Sequence, residues 1–128
     1  SFKLLQHKVP RLLIGRLVYN PNQTGSMTTR PIRLLLAKSI ANMSFNKKLV
    51  VEFTSERGKI ADALHRVHKL GSDEATYCAS ATLFNLSQIP ECTVLADSKA
   101  LPLIVDILDG QCTVICMKLC MAALCNFS

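Results

Sequence analysis

The chain has 128 residues, 49% of them apolar and 19% charged, with a formal net charge of +6. That length ordinarily makes one domain with enough apolar material for a core. The longest apolar runs are broken by Pro102, Asp106 or Lys118, and no basic leader precedes a short apolar region at the start, so neither a membrane span nor a secretory signal is expected.

In chain order, residues 1–8 read as the tail of a helix, and 9–18 as a helix with Pro10 in its first turn, where a missing N–H does no harm. Residues 19–28 are rich in Asn, Pro, Gly, Ser and Thr and read as a long loop. A helix is predicted over 32–43, started by Pro31 and capped by Thr28 or Thr29, followed by a short one over 46–53 with Leu49, Val50 and Phe53 inward. Residues 59–70 make another, with Ile60, Ala63, Leu64 and Val67 on one stripe. Gly71 is a natural stop, and Ser72 or Asp73 caps a helix over 74–86. The series then recurs as a short helix over 90–96 with Val94 and Leu95 inward, a middle helix over 100–108 with Pro102 in its first turn, a break at Gly110, and a long helix over 113–127. No segment alternates with the period of a strand, so the fold expected is all-α.

Three of these helices end alike, in Ser39-Ile40-Ala41-Asn42-Met43-Ser44, Thr82-Leu83-Phe84-Asn85-Leu86-Ser87 and Ala123-Leu124-Cys125-Asn126-Phe127-Ser128. The asparagines stand 43 residues apart (42 to 85) and then 41 apart (85 to 126). A fixed spacing of this size marks a solenoid, in which stacked units share one continuous core. The expected division is a single solenoid segment over 1–128, with units of about 1–44, 45–87 and 88–128. The first unit reads as incomplete. The last helix carries Ile115, Leu119, Cys120, Ala123, Leu124 and Phe127 around much of its circumference, so the C-terminal end reads as uncapped and the whole as part of a longer solenoid.

These residues resemble the armadillo repeat family, whose units have about 42 residues in three helices. The likeness is closest from Asn85-Leu86-Ser87 through Ala100-Leu101-Pro102-Leu103-Ile104-Val105-Asp106-Ile107-Leu108 to Ala122-Ala123-Leu124-Cys125-Asn126-Phe127-Ser128. Over 42–86 the middle helix has Lys59-Ile60-Ala61-Asp62 where the family has its Pro. Residues 1–44 match at Val9-Pro10 and Ile40-Ala41-Asn42-Met43 but carry the longer loop. HEAT repeats share the solenoid logic; the Asn series favours armadillo. The resemblance implies a right-handed α-solenoid of about three units.

The resemblance also implies a site. In armadillo proteins the third helices line a concave groove, and their asparagines bond the backbone of an extended peptide. The matching positions are Asn42, Asn85 and Asn126. A side-chain amide can pair with a C=O and an N–H together, whatever the peptide's side chains. The alternative is that each Asn caps or bonds within its own unit. Import adaptors of the family place Trp four residues before the Asn; here those positions are Lys38, Ala81 and Ala122, and the chain has no Trp. Recognition of a basic signal is therefore not expected. Lys38, with Arg30, Arg33, Lys47 and Lys48, suits an acidic peptide instead, against the alternative of a solvated helix face.

Charge is uneven: residues 1–70 carry 13 Lys/Arg and 3 Asp/Glu (13 − 3 = +10), and residues 71–128 carry 2 and 6 (2 − 6 = −4). This polarity favours an acidic partner on the first half and argues against a continuous nucleic-acid track. All six cysteines lie in the second half, with Cys112, Cys116 and Cys120 at i, i+4 and i+8. Thiols so placed neither close a tetrahedral metal site unaided nor make good disulfides, and they read as packing residues in a reducing compartment. His65 and His68 stand at i, i+3 with no Cys nearby in sequence and read as surface residues, and no phosphate loop, nucleophile elbow or metalloprotease motif occurs. The expectation is a protein that is not an enzyme and takes no metal or cofactor. It would be a scaffold holding an extended or helical segment of another protein in its groove, in a larger complex in the cytoplasm, with cytoskeletal, ciliary and nuclear settings left open. The alternative is a structural component packed into a cytoskeletal or ciliary assembly through its outer surfaces.

Overall fold

The computed structural model describes residues 8–9, 12–16, 30–46, 57–89 and 100–127. The predicted loop over 19–28, the short helices over 46–53 and 90–96, and Lys47 and Lys48 lie outside or almost wholly outside them. Among the described residues there are no strands. Five helices follow one another: α1 (Arg30–Met43), α2 (Arg57–His68), α3 (Asp73–Ser87), α4 (Ala100–Asp109) and α5 (Val114–Phe127). Residues 8–9 and 12–16 are helical as well.

Local chemistry accounts for the boundaries. Ser72 is the N-cap of α3, accepting a hydrogen bond from the Ala75 N–H at 3.1 Å. Asp73 and Glu74 follow in the first turn, where the helix dipole favours negative charge. The middle helix α2 ends two residues before the predicted limit because its last turn tightens. Leu70 N–H donates to the Val67 carbonyl and Gly71 N–H to that of His68, each three residues back. Gly71 then takes φ +80, a left-handed conformation that closes many helices and that a Cβ would strain. Thr113, predicted inside α5, caps it instead: its hydroxyl accepts from the Cys116 N–H and its carbonyl from the Met117 N–H.

Packing follows the apolar stripes. In α2, Ile60, Ala63, Leu64 and Val67 are all buried, and in α4 so are Ala100, Leu103, Ile104 and Ile107. Both sets recur at i, i+3, i+4 and i+7, one face of a helix. The two helices pack on each other and form one layer. The second layer is α1, α3 and α5 side by side, with α3 touching both neighbours and both helices of the other layer. Direction within that layer is fixed by pairs along it. Lys38 meets Glu74 and Ser44 meets Asn85; Ser80 meets Cys120 and Ser87 meets Asn126. In both helix pairs the contacts advance together, so α1, α3 and α5 run the same way. Ala75, Ala79 and Ala81 let α3 be enclosed: of its residues only Asp73, Glu74 and Tyr77 are exposed.

A single histidine ties three helices. From the end of α2, His68 Nδ1 lies 3.0 Å from the Thr76 hydroxyl in α3, and Nε2 lies 3.6 Å from an Asp106 carboxylate oxygen in α4. Burial holds its pKa below the ordinary value, although Asp106 pulls the other way. The fold therefore favours the neutral ring, and the unfolded chain binds the proton more readily. Stability is lost as pH falls below the unfolded value and through the folded one.

Two expectations can be measured. Leu86→Ala, at a fully buried side chain in α3, should cost about 2–5 kcal/mol by urea denaturation, while exposed Val105→Ala should change stability by less than about 0.5 kcal/mol. A Leu86→Ala loss no larger than that of Val105→Ala would contradict the packing described. His68→Gln should also lose less stability than the parent chain between pH 7.5 and 5.5. An identical acid loss in both would show that His68 is not the titrating group.

Candidate binding face

The layer of α1, α3 and α5 turns one side away from α2 and α4, and the repeat register aligns its residues in rows. One row is Lys38, Ala81 and Ala122, and the next is Asn42, Asn85 and Asn126. A row nearer the helix starts holds exposed Tyr77 and Lys118. All eight residues singled out from the sequence are within the described part of the chain. They are not equivalent in surroundings.

The asparagine row carries the main structural finding. Asn85 is buried, and its Nδ2 donates to Ser44 Oγ at 2.8 Å across the α1–α3 interface. Ser44 Oγ in turn donates to the Ala41 carbonyl at 2.6 Å. The arrangement recurs at the α3–α5 interface: Asn126 Nδ2 donates to Ser87 Oγ at 3.1 Å, and Ser87 Oγ donates to the Phe84 carbonyl at 2.6 Å. Each amide thus reaches the serine that closes the preceding long helix, across 41 and 39 residues of sequence. Neither bond lies within the asparagine's own helix. Each amide oxygen is still an acceptor that the relay does not occupy through Nδ2. Asn126 and Asn42 are exposed.

The signal for this relay stood in the sequence as the Ser two residues after each Asn. It was legible as part of a repeated ending, but not as the acceptor of the next unit's amide. Phe45 was missed too. It is strongly exposed beside Ser44, and with Asn85, Gln88 and Ile89 it rims a small hollow of about 60 Å³ over the first relay.

The basic residues expected beside Asn42 are only partly gathered there. Lys38 Nζ pairs with Glu74 Oε1 of α3 at 2.5 Å, and that hydrogen bond and charge hold the ammonium pKa above its ordinary value. Both side chains are about half exposed, so the pair adds little stability. It does place an acid within the candidate face. Arg30 is exposed at the start of α1. Arg33 is half-buried, with Nε and Nη2 closed off from solvent and unpaired among the described residues. Ala81 is buried and Ala122 half-buried.

Three of the five described cysteines, Cys78, Cys116 and Cys120, are core material. Cys116 and Cys120 are buried and Cys112 half-buried, while Cys125 is exposed, and all five described cysteines are free thiols. Cys120 Sγ donates to Ser80 Oγ at 3.4 Å, a further bond between α3 and α5. Burial pushes the Cys78 and Cys120 thiols up, away from the reactive thiolate. Among the described residues no three His, Cys, Asp or Glu side chains gather as a metal site would require, and no helix is long and apolar enough to cross a membrane. On the opposite layer an open hollow of about 380 Å³ is lined by Asp62, His65, Arg66 and Lys69.

No family model matches the chain, and neither the curated proteins nor the solved structures include a match to it.

The relay makes a direct prediction. Asn85→Ala leaves Ser44 Oγ and the α1–α3 seam short of a donor and should cost about 1–3 kcal/mol. Combined with Ser44→Ala in a double-mutant cycle, it should show a coupling of about 0.5–1.5 kcal/mol. Additive losses would mean that the two side chains do not act together.

Proposed function

We propose that the chain is an armadillo-type stack of three-helix units. We further propose that it works without catalysis, as a scaffold holding a segment of another protein against the exposed side of α1, α3 and α5, in the cytoplasm. The observation that carries this reading is the row of asparagines on parallel helices. Two of them anchor through Nδ2 on the serine before, which fixes the amide plane; Asn85 is buried, while Asn42 and Asn126 are exposed and can meet a partner's backbone. A side-chain amide held in one orientation costs less entropy when it binds than a freely rotating one. Arg30, Tyr77 and Lys118 flank the row on the exposed side. They give the partner's side chains a phenol ring to pack on and cations to meet, which suits a segment carrying Asp or Glu.

The face can be tested by position. A photo-cross-linking residue at Tyr77 or Lys118 should capture another protein in cells, and one at Arg66 or Lys69 on the opposite layer should not. Capture only from the opposite layer would overturn the assignment. For a partner so found, Asn42→Ala with Asn126→Ala should weaken binding roughly tenfold, as expected for the loss of two hydrogen bonds of about 0.5–1.5 kcal/mol each. Unchanged affinity would exclude the asparagine row from the contact.

A further inference from the structure

Of the residues of α3, only Asp73, Glu74 and Tyr77 are exposed, although the helix has a neighbour on each side. Tyr77 keeps 43% of its surface open, whereas Asn85 keeps 6%. A molecule lying across the layer therefore touches α3 near its start, at Tyr77, rather than at its asparagine. This opening belongs to an enclosed helix, so it does not depend on what precedes α1 or follows α5. The repeat register sets residues of the neighbouring helices at the same level. Moving 41 residues on, as from Asn85 to Asn126, takes Tyr77 to Lys118 of α5, which is exposed. Moving 43 residues back, as from Asn85 to Asn42, takes Asp73 to Arg30 of α1. Arg30 is exposed as well, one turn nearer the helix starts.

The charges at this level are not balanced. Lys38 is neutralised by Glu74, and Asp73 lies in the first turn of α3, where it offsets the helix dipole. Arg30 and Lys118 form no ion pair among the described residues, and they stand on the two helices that flank α3. Packed helices lie about 8–10 Å apart, so the outer two are about 16–20 Å from each other. An extended chain covers that span in about five or six residues. We propose that this level is a second line of contact, which takes an extended acidic segment of another protein. One carboxylate meets Arg30 and another, about five or six residues away, meets Lys118. An apolar side chain between them packs on the Tyr77 ring. Charge selects the acids, and the width of the layer selects their spacing. The line lies eight residues (77 to 85), or about 12 Å, from the asparagine row along α3. One extended segment crossing the helices at right angles does not touch both. The inference shares with the proposed function only the exposed side of α1, α3 and α5, so either can fail alone.

Two blocked nine-residue peptides of identical composition test it, each made of six Ser, two Glu and one Leu. In the first, Glu stands second and eighth with Leu in the middle; in the second, both Glu flank the central Leu. Titrated at low salt into the isotope-labelled 128-residue chain, the first should bind about threefold more tightly, the scale of one exposed ion pair. Its amide shifts should centre on Tyr77 and Lys118. Arg30→Ala and Lys118→Ala should each remove the preference, while Asn42→Ala with Asn126→Ala should leave it unchanged. Arg66→Ala with Lys69→Ala, on the opposite layer, should leave it unchanged too. Equal affinity for the two peptides would overturn the proposal, because plain attraction to a chain of net charge +6 does not read spacing. So would no binding of either peptide at millimolar concentration, a preference that survives Lys118→Ala, or one lost in the Arg66→Ala, Lys69→Ala variant.

Discussion

Everything in this molecule depends on enclosing α3 between two helices that run parallel to it. An enclosed helix cannot leave polar groups to water, yet α3 carries Thr76, Ser80, Thr82, Asn85 and Ser87 in its buried surface. Each would cost free energy if left unpaired. Thr82 bonds within the helix to the Cys78 carbonyl at 2.7 Å. The other four are partnered outside it: Thr76 with His68, Ser80 with Cys120, Asn85 with Ser44 and Ser87 with Asn126. The apolar contacts supply most of the stability and the alanines the close approach. The polar pairs fix the register, since sliding one helix by a turn would strand all of them.

That constraint shapes what the exposed side can do. Amides that donate a hydrogen bond to a serine are held in orientation. Lys38 and Glu74 span the same interface near the start of α3. The face is thus a mosaic of amide, phenol, carboxylate and cation rather than the basic strip that composition alone suggests. Apolar side chains of α1 and α5, Leu35 and Met121 among them, are exposed.

Much of the fold was legible because the helix signals were local. The stripes of α2 and α4, the Gly71 stop and the Ser72 cap depend on residues within one turn, and the structure places them as expected apart from Thr113, which caps α5 instead of opening it. Relations between units were not legible in that way. The Asn spacing gave the period, but which serine each amide meets depends on how two helices are staggered, and that involves residues of both helices that no single window displays. One electrostatic contact was hidden for a similar reason. Lys38 reads as part of a cationic group until Glu74, 36 residues later, is folded against it. The apolar circumference of α5 was plain in the sequence, whereas its division into a covered side at Cys116, Cys120, Ala123 and Phe127 and an open one needed the neighbouring helix.

The central claim is that the asparagine of one long helix bonds the serine that ends the helix before it. Nuclear Overhauser spectroscopy on the isotope-labelled protein tests this most directly, through cross-peaks between asparagine side-chain amide protons and serine Hβ protons. The account predicts strong cross-peaks from Asn85 to Ser44 and from Asn126 to Ser87. Cross-peaks from these amides only to residues of their own helix would contradict it.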